Sequence, residues 1–249
     1  MRMVLRLAWL EGKLLLREPI TLVFVLALPL VMMVVMLGVF SDAADPTVFM
    51  GVEAKNYYMG AYVAAVVAAL GVINLPTHLA TYRERGVLRR FEASSIPRWS
   101  LMGAHTLVMV VLAGIGALIV VGSAKAIYGV ENPADPGLVV AGFLLAALAF
   151  AAFGTLLGVV MPTARAAQGI GIMLWFVMFM LGGVGPPPEV LPEAMGTVGA
   201  ATPLLHAVRL LQGAWLGTGW DWGRAGILVG ILVVSLALAA LLMRRRSSR

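Results

Sequence analysis

The chain has 249 residues, of which 61% are hydrophobic and only 12% are charged, whereas soluble domains carry roughly a quarter charged residues. A soluble core cannot bury that much apolar surface, so the composition excludes an ordinary globular protein and indicates one polytopic membrane domain over 1–249. The absence of cysteine excludes disulfides, thiolate metal sites and a cysteine nucleophile.

The first element, 1–18, is polar enough to be helical without crossing a bilayer. Four basic residues fall within about 60° of one another at helical spacing: Arg2, Arg6, Lys13 and Arg17. Such a helix would lie along the inner membrane surface with Trp9 at headgroup depth, although Glu11 falls on the far side. The alternative is a simple basic flank that orients the first span.

Six apolar runs follow, each long enough for a crossing, which needs about 20 helical residues. They are 20–40, 57–79, 101–127, 138–160, 166–184 and 225–243. Lys and Arg accumulate on the cytoplasmic side of membrane proteins, and here most of them lie in the N-terminal segment, between the second and third runs, and in the tail. Both termini are therefore expected to be cytoplasmic. Membrane orientation explains the net charge of +6 better than nucleic-acid binding does.

The segment 81–97, between the second and third runs, combines an apolar stripe with many arginines. At helical spacing four residues share one face: Glu84, Val87, Leu88 and Phe91. Cationic neighbours surround that face: Arg83, Arg85, Arg89 and Arg90. A short helix of this kind is suited to docking in a groove on a partner protein. The alternative is a basic loop that fixes topology or binds anionic lipid.

The segment 185–212, before the last run, is too interrupted by Pro and Gly to cross, yet too apolar for a solvated loop. Short re-entrant or interfacial helices fit it and could cap a substrate pathway from outside, with an ordinary folded loop as the alternative. Within the runs, GxxxG spacings at 154–158 and 226–230 indicate close helix packing, either inside the bundle or at a subunit interface.

Catalytic patterns are missing from the sequence. The three histidines, His78, His105 and His206, are far apart and none lies in an HExxH spacing. There is no GxSxG elbow and no GxxxxGK[ST] phosphate loop, so we expect no enzyme activity and no bound cofactor or metal. Because the span interiors are nearly free of ionisable residues, a proton- or sodium-coupled carrier is disfavoured.

Several features recur in a definite order along the chain. The basic N-terminal stretch runs into Leu16-Arg-Glu-Pro19, and the arginine-rich segment is closed by Pro97. The Gly-rich fifth run is followed by Pro188, by Leu191-Pro192 and by Thr202-Pro-Leu-Leu-His206, and the last run ends in an Arg-rich tail. Together they resemble the membrane subunits of ABC-2 type transporters, the permease family that includes bacterial drug and polysaccharide exporters.

That resemblance implies an all-α fold of six transmembrane helices, with 1–18 as an interfacial elbow helix and both termini in the bacterial cytoplasm. It implies that the coupling segment, 81–97, docks on a separate ATPase subunit, which would bind ATP and magnesium. It implies an outer gate at Pro188, Leu191, Pro192, Pro203 and His206. The family's permeases work in pairs, so a second copy or a paralogue is also expected.

The expected function is export across the cytoplasmic membrane. Methionines in the spans offer an adaptable apolar surface that suits a lipophilic drug or a lipid: Met32, Met33, Met36, Met173, Met178 and Met180. Drug resistance is one such role, while export of a polysaccharide or another glycoconjugate remains open. From other classes, a membrane scaffold or assembly protein and a secondary carrier remain alternatives. A neighbouring gene encoding GxxxxGK[ST] would favour the exporter.

Overall fold

A computed structural model describes residues 2–16, 19–40, 43, 45, 47–87 and 98–247. Helices joined by turns make up this part of the chain, which contains no strand. In order they are α1 (Arg2–Leu16), α2 (Pro19–Phe40), α3 (Ala54–Ala69), a π-helical turn (Leu70–Asn74), α4 (Leu75–Glu84), α5 (Arg98–Tyr128), α6 (Pro136–Val160), α7 (Ala164–Leu181), a 3₁₀ turn (Pro188–Val190), α8 (Glu193–Ala200), α9 (Pro203–Leu216) and α10 (Trp222–Ser247). The expected all-α fold is confirmed.

Five stretches of helix in the described residues are long and apolar enough to cross a membrane. They are Ala54–Glu84, Ser100–Tyr128, Pro136–Val160, Ala164–Leu181 and Trp222–Arg245. These correspond to the second through sixth runs predicted from the sequence. The first run falls on α2, in which the stretch Leu26–Phe40 is apolar. The six-span topology therefore stays a prediction.

The central helix, Ala54–Glu84, consists of α3, the π-helical turn and α4 in one continuous rod. Every residue from Asn56 to Pro76 is buried, and α2, α5, α6, α7 and α9 all pack around this rod. Five alanines, at 61, 64, 65, 68 and 69, fall on one half of its circumference at helical spacing. Their small side chains let neighbouring backbones approach that half closely. The other helices thus share one common packing partner.

The π-helical turn of the central helix makes close backbone contacts with α6 and α7. Pro76 has no N–H to donate to the Val72 carbonyl, and that oxygen faces α7, where a Cβ on Gly171 would lie only 2.5 Å away. On the other side, a Cβ on Gly154 of α6 would lie 1.8 Å from the Gly71 carbonyl oxygen. Only glycine allows these approaches.

The two GxxxG spacings have different surroundings. Gly154 and Gly158 pack against the central helix of the same chain, where a Cβ on Gly158 would lie 2.9 Å from the Leu79 Cβ. The first GxxxG spacing therefore serves close helix packing inside the bundle. A Cβ on Gly226 or Gly230 would meet no described atom within 4 Å.

Candidate functional site

The end of the central helix binds the last turn of α6 through one side chain. The Arg83 guanidinium donates hydrogen bonds to the backbone oxygens of Gly158 at 3.1 Å, Val159 at 3.2 Å, Met161, and Pro162 at 3.1 Å. Carbonyls at a helix C-terminus have no intrahelical donor and carry partial negative charge, so a cation is favourable there. Arg83 therefore caps α6.

The next residue caps the neighbouring helix. The Glu84 carboxylate accepts a hydrogen bond from the backbone N–H of Ala164, the first residue of α7, at 2.9 Å. The Thr163 hydroxyl accepts another from Ala166 at 3.1 Å. A carboxylate stabilises the positive end of a helix dipole. We call Arg83 and Glu84, with the 158–164 backbone they bind, the α4 clamp.

The helical face expected for the coupling segment is interrupted after the α4 clamp. The helix α4 ends at Glu84, and Gly86 has a φ of 66°, a left-handed conformation that glycine favours. Glu84 therefore does not share one continuous helix with Val87, contrary to the sequence prediction. Arg85 is exposed and Val87 is half-buried. The remaining predicted residues lie outside the described part: Leu88, Arg89, Arg90 and Phe91.

The helix α1 packs one face against α5. Leu7 and Ala8 are buried against Ala104 and Val108, so part of the N-terminal helix contacts the bundle. Arg6, Trp9 and Lys13 lie on exposed positions, and the Lys13 ammonium sits 5.0 Å from the centroid of the Trp9 ring. Arg17 lies outside the described residues, as does the side chain of Arg2.

Glu11 lies at the contact between α1, α4 and α5. Its side chain is buried, and the Tyr82 hydroxyl donates a hydrogen bond of 2.7 Å to Oε2. The same oxygen lies 3.7 Å from Nδ1 of His105, whose ring centroid is 5.3 Å from that of Tyr82. Burial raises the pKa of Glu11, and the hydrogen bond from Tyr82 opposes this rise only in part. We call Glu11, Tyr82 and His105 the α1 triad.

Sequence reasoning did not identify Glu11 as a site residue and treated it as an interruption of the basic stripe. The available signal was an acidic residue on the apolar face of an amphipathic helix. Acidic side chains are rarely buried without a partner, so that position predicts a buried hydrogen-bond donor. The identity of the donor depends on tertiary contacts.

At the opposite end of the central helix, a polar network joins α3 to the segment 185–212. Arg209 of α9 pairs with Glu189, and its guanidinium also lies 3.4 Å from the Tyr57 hydroxyl and 3.3 Å from Gln212 Oε1. The Tyr57 hydroxyl donates to Glu189 at 3.2 Å, and the Gln212 amide donates to the Tyr57 carbonyl at 3.1 Å. These four residues form what we call the α9 network.

Aromatic contacts support the same junction. The Tyr58 hydroxyl donates to the Gly185 carbonyl at 2.9 Å, and the rings of Tyr57 and Tyr58 meet edge to face with centroids 5.2 Å apart. Phe49 packs edge to face on both rings. Edge-to-face pairs add about 0.5–1.5 kcal/mol beyond their burial, so the junction is held firmly.

The residues predicted as an outer gate fall at the ends of short helices. Pro188 begins the 3₁₀ turn, Leu191 follows it, and Pro192 precedes α8. Pro203 occupies the first position of α9, and the His206 ring lies 2.9 Å from the Ala200 carbonyl through Nε2. Their positions fit local capping and turn formation. The α9 network, which the sequence did not single out, makes the contacts to the central helix.

Comparison with known proteins gives two matches. A family model described as ABC-2 type transporter matches residues 3–216. A protein of Bacillus subtilis (strain 168), described as "Putative transport permease YvfS", is 31% identical over 108 residues. That alignment covers 42% of this chain and 42% of the relative, so it spans less than half of either protein.

The family match covers α1, the α1 triad, the α4 clamp and the α9 network, and it ends at Leu216, the last residue of α9. It therefore includes each junction described above and ends before α10. Together with the apolar helices, the match identifies a multi-pass membrane component of a transporter. The chain belongs to the ABC-2 type transporter family.

Proposed function

We propose that this chain is the permease subunit of an ATP-binding cassette exporter in the bacterial cytoplasmic membrane. A separate ATPase subunit would bind ATP with magnesium and dock on the coupling segment, 81–97. A second permease copy or paralogue would complete the membrane pair. Six spans, an interfacial α1, a re-entrant segment over 185–212 and cytoplasmic termini complete this proposal.

The α4 clamp is the observation that carries the proposal. The coupling segment begins where Arg83 and Glu84 bind the end of α6 and the start of α7, and the α1 triad ties α1 to the same end of the central helix. A force applied to this segment would therefore act on four helices together. Packed helices move as units between discrete arrangements, which suits coupling of ATP hydrolysis to transport.

For the substrate, we propose a lipophilic drug-like or lipid-like molecule. The methionine-containing faces of α2 and α7 offer an adaptable apolar surface, and Met173 is 63% exposed. Export of a polysaccharide or another glycoconjugate is the second candidate. A scaffold or secondary-carrier role would require the chain to function without an ATPase.

The test is the ATPase activity of the complex in nanodiscs after co-expression with the candidate ATPase. Leu88→Asp places a charge on the predicted docking face and should abolish stimulation of ATP hydrolysis by the substrate. Ile127→Asp is the matched control, because Ile127 is an exposed apolar residue in the last turn of α5, outside the coupling segment and outside 185–212. Normal coupling in Leu88→Asp, or no association with any ATPase, would contradict the proposal.

A further inference from the structure

A charged cavity lies between the end of α9 and the start of α10. Its volume is about 440 Å³. Two ion pairs line it, Arg209 with Glu189 and Arg224 with Asp221, the latter with Nε and Oδ2 3.0 Å apart. A third to a half of the Arg224, Glu189 and Asp221 side chains is exposed. The cavity thus presents both signs of charge to a ligand.

An apolar cleft lies nearby, between α6, α7, α9 and α10. Its volume is about 630 Å³. Its lining includes Phe153, Met178, Pro203, Ile227 and Ile231, and the polar side chains in that lining are the hydroxyls of Thr202 and Ser235. Its size and apolar lining are suited in chemistry to a hydrocarbon chain.

The two cavities follow one face of α10. Arg224 lines the first, and Ile227, Ile231 and Val234 line the second, at spacings of three and four residues that keep them on one side of a helix. The helical rise puts Arg224 and Val234 about 15 Å apart. The helix α9 also packs against α10.

This order of charge and apolar surface matches the depth profile of a lipid leaflet. The charged cavity lies at the start of the candidate span Trp222–Arg245, and the cleft lies within that span. Trp222, beside the charged cavity, is 80% exposed, and tryptophan is enriched at membrane interfaces. The headgroup of a lipid would therefore lie at the depth of the charged cavity, and its acyl chain at the depth of the cleft.

We propose that this groove binds one zwitterionic phospholipid. The Arg224 guanidinium contacts the phosphate, the carboxylates of Glu189 and Asp221 contact the ammonium group, and one acyl chain fills the cleft. The two arginines and two carboxylates that line the cavity cancel in charge. A headgroup with phosphate alone would therefore add a negative charge that no further cation compensates, whereas a zwitterion adds none. Binding is measured without an ATPase and is independent of the transport function proposed above.

The test is native mass spectrometry of the purified protein with phosphatidylethanolamine or phosphatidylglycerol of identical acyl chains. Gly230→Phe should lower phosphatidylethanolamine binding several-fold, because Gly230 lines the cleft and its Cβ position is open. Gly226→Phe is the matched control, since Gly226 is equally open and lines neither cavity. Arg224→Gln should weaken binding about tenfold through the lost phosphate contact.

Soluble phosphoethanolamine has the headgroup without acyl chains, so it tests whether the site binds the headgroup alone. We expect that it does not displace the lipid. Three outcomes would overturn the proposal: equal or tighter binding of phosphatidylglycerol, an equal loss in both glycine variants, or full displacement by phosphoethanolamine. Size-exclusion profiles and thermal unfolding establish that each variant is folded. If the Gly226→Phe control fails to fold, Val229→Phe, on the opposite and exposed face of α10, takes its place.

Discussion

The Tyr82 hydroxyl donates a hydrogen bond of 2.7 Å to the buried Glu11 carboxylate, which joins the N-terminal helix to the end of the central helix across 71 residues of sequence. His105 of α5 lies 3.7 Å from the same oxygen. Three helices therefore meet at one carboxyl group. Since this group also lies close to the coupling segment, its protonation state can affect the stability of that junction.

Burial raises the pKa of Glu11, so folding favours the neutral carboxyl group relative to the unfolded chain. The stabilisation from this group is present below its unfolded pKa and is lost as pH rises through its folded pKa. Glu11→Gln, which mimics the neutral form, should match the wild type near pH 4 and be more stable at pH 8. Thermal unfolding in detergent between these pH values measures the effect. A parallel pH dependence in both proteins would contradict the assignment.

Arg83→Gln should destabilise the protein, because it leaves carbonyls at the end of α6 without their charged donor. Hydrogen bonds to charged groups contribute about 1.5–3 kcal/mol, so a loss of this size is expected in chemical unfolding. Arg83→Lys keeps the charge but loses the planar guanidinium that reaches several oxygens. Its stability should lie between that of the wild type and that of Arg83→Gln. Arg165→Gln, at an exposed position on α7, is the control and should have little effect.

Gly154→Ala should prevent stable folding. Its Cβ would lie 1.8 Å from the Gly71 carbonyl oxygen. The backbones of α6 and the π-helical turn would have to move apart to relieve this clash, at a cost of about 3 kcal/mol or more. Gly226→Ala is the matched control, because no described atom lies near its Cβ position. Yield of monodisperse protein and thermal unfolding report the difference. A well-folded Gly154→Ala protein would show that α6 and the π-helical turn are not this close.

The Arg209–Glu189 pair should show a positive coupling energy in a double-mutant cycle. The Arg209 side chain is 15% exposed and that of Glu189 is 32% exposed, so solvent screens the pair only in part. Arg209→Gln and Glu189→Gln should each destabilise the protein, and the double variant should lose less than their sum by about 1 kcal/mol. Unfolding in low and high salt measures the coupling, and strict additivity would mean that the pair contributes nothing.

The predicted topology can be tested with single cysteines, because the chain has none of its own. In intact cells, an impermeant maleimide should label Thr218→Cys, on the predicted outer side. It should label Arg165→Cys and Ser247→Cys only after the membrane is opened. Labelling of Ser247→Cys in sealed cells would place the C-terminus outside and contradict the six-span arrangement.

The sequence predicted the helices well because hydrophobic length is a local property. The runs 138–160 and 225–243 fall within α6 and α10, and 101–127 falls within α5. Arg83 and Glu84 were also singled out, but as residues that face a partner. In the fold they bind the end of α6 and the start of α7. The carbonyl and N–H groups at helix ends attract charged side chains, including those that tertiary packing brings from a distant part of the sequence.

The sequence by itself determined that this protein is an α-helical membrane protein of the ABC-2 type, since composition, run length and the order of motifs are contained in the chain. Only the tertiary structure decided which polar groups meet. Glu11 with Tyr82, and Arg209 with Glu189, come together because the Ala-rich central helix lets distant segments pack against it closely. The spacing of residues along one helix carries no information about its neighbour, so these partners could not be assigned in advance.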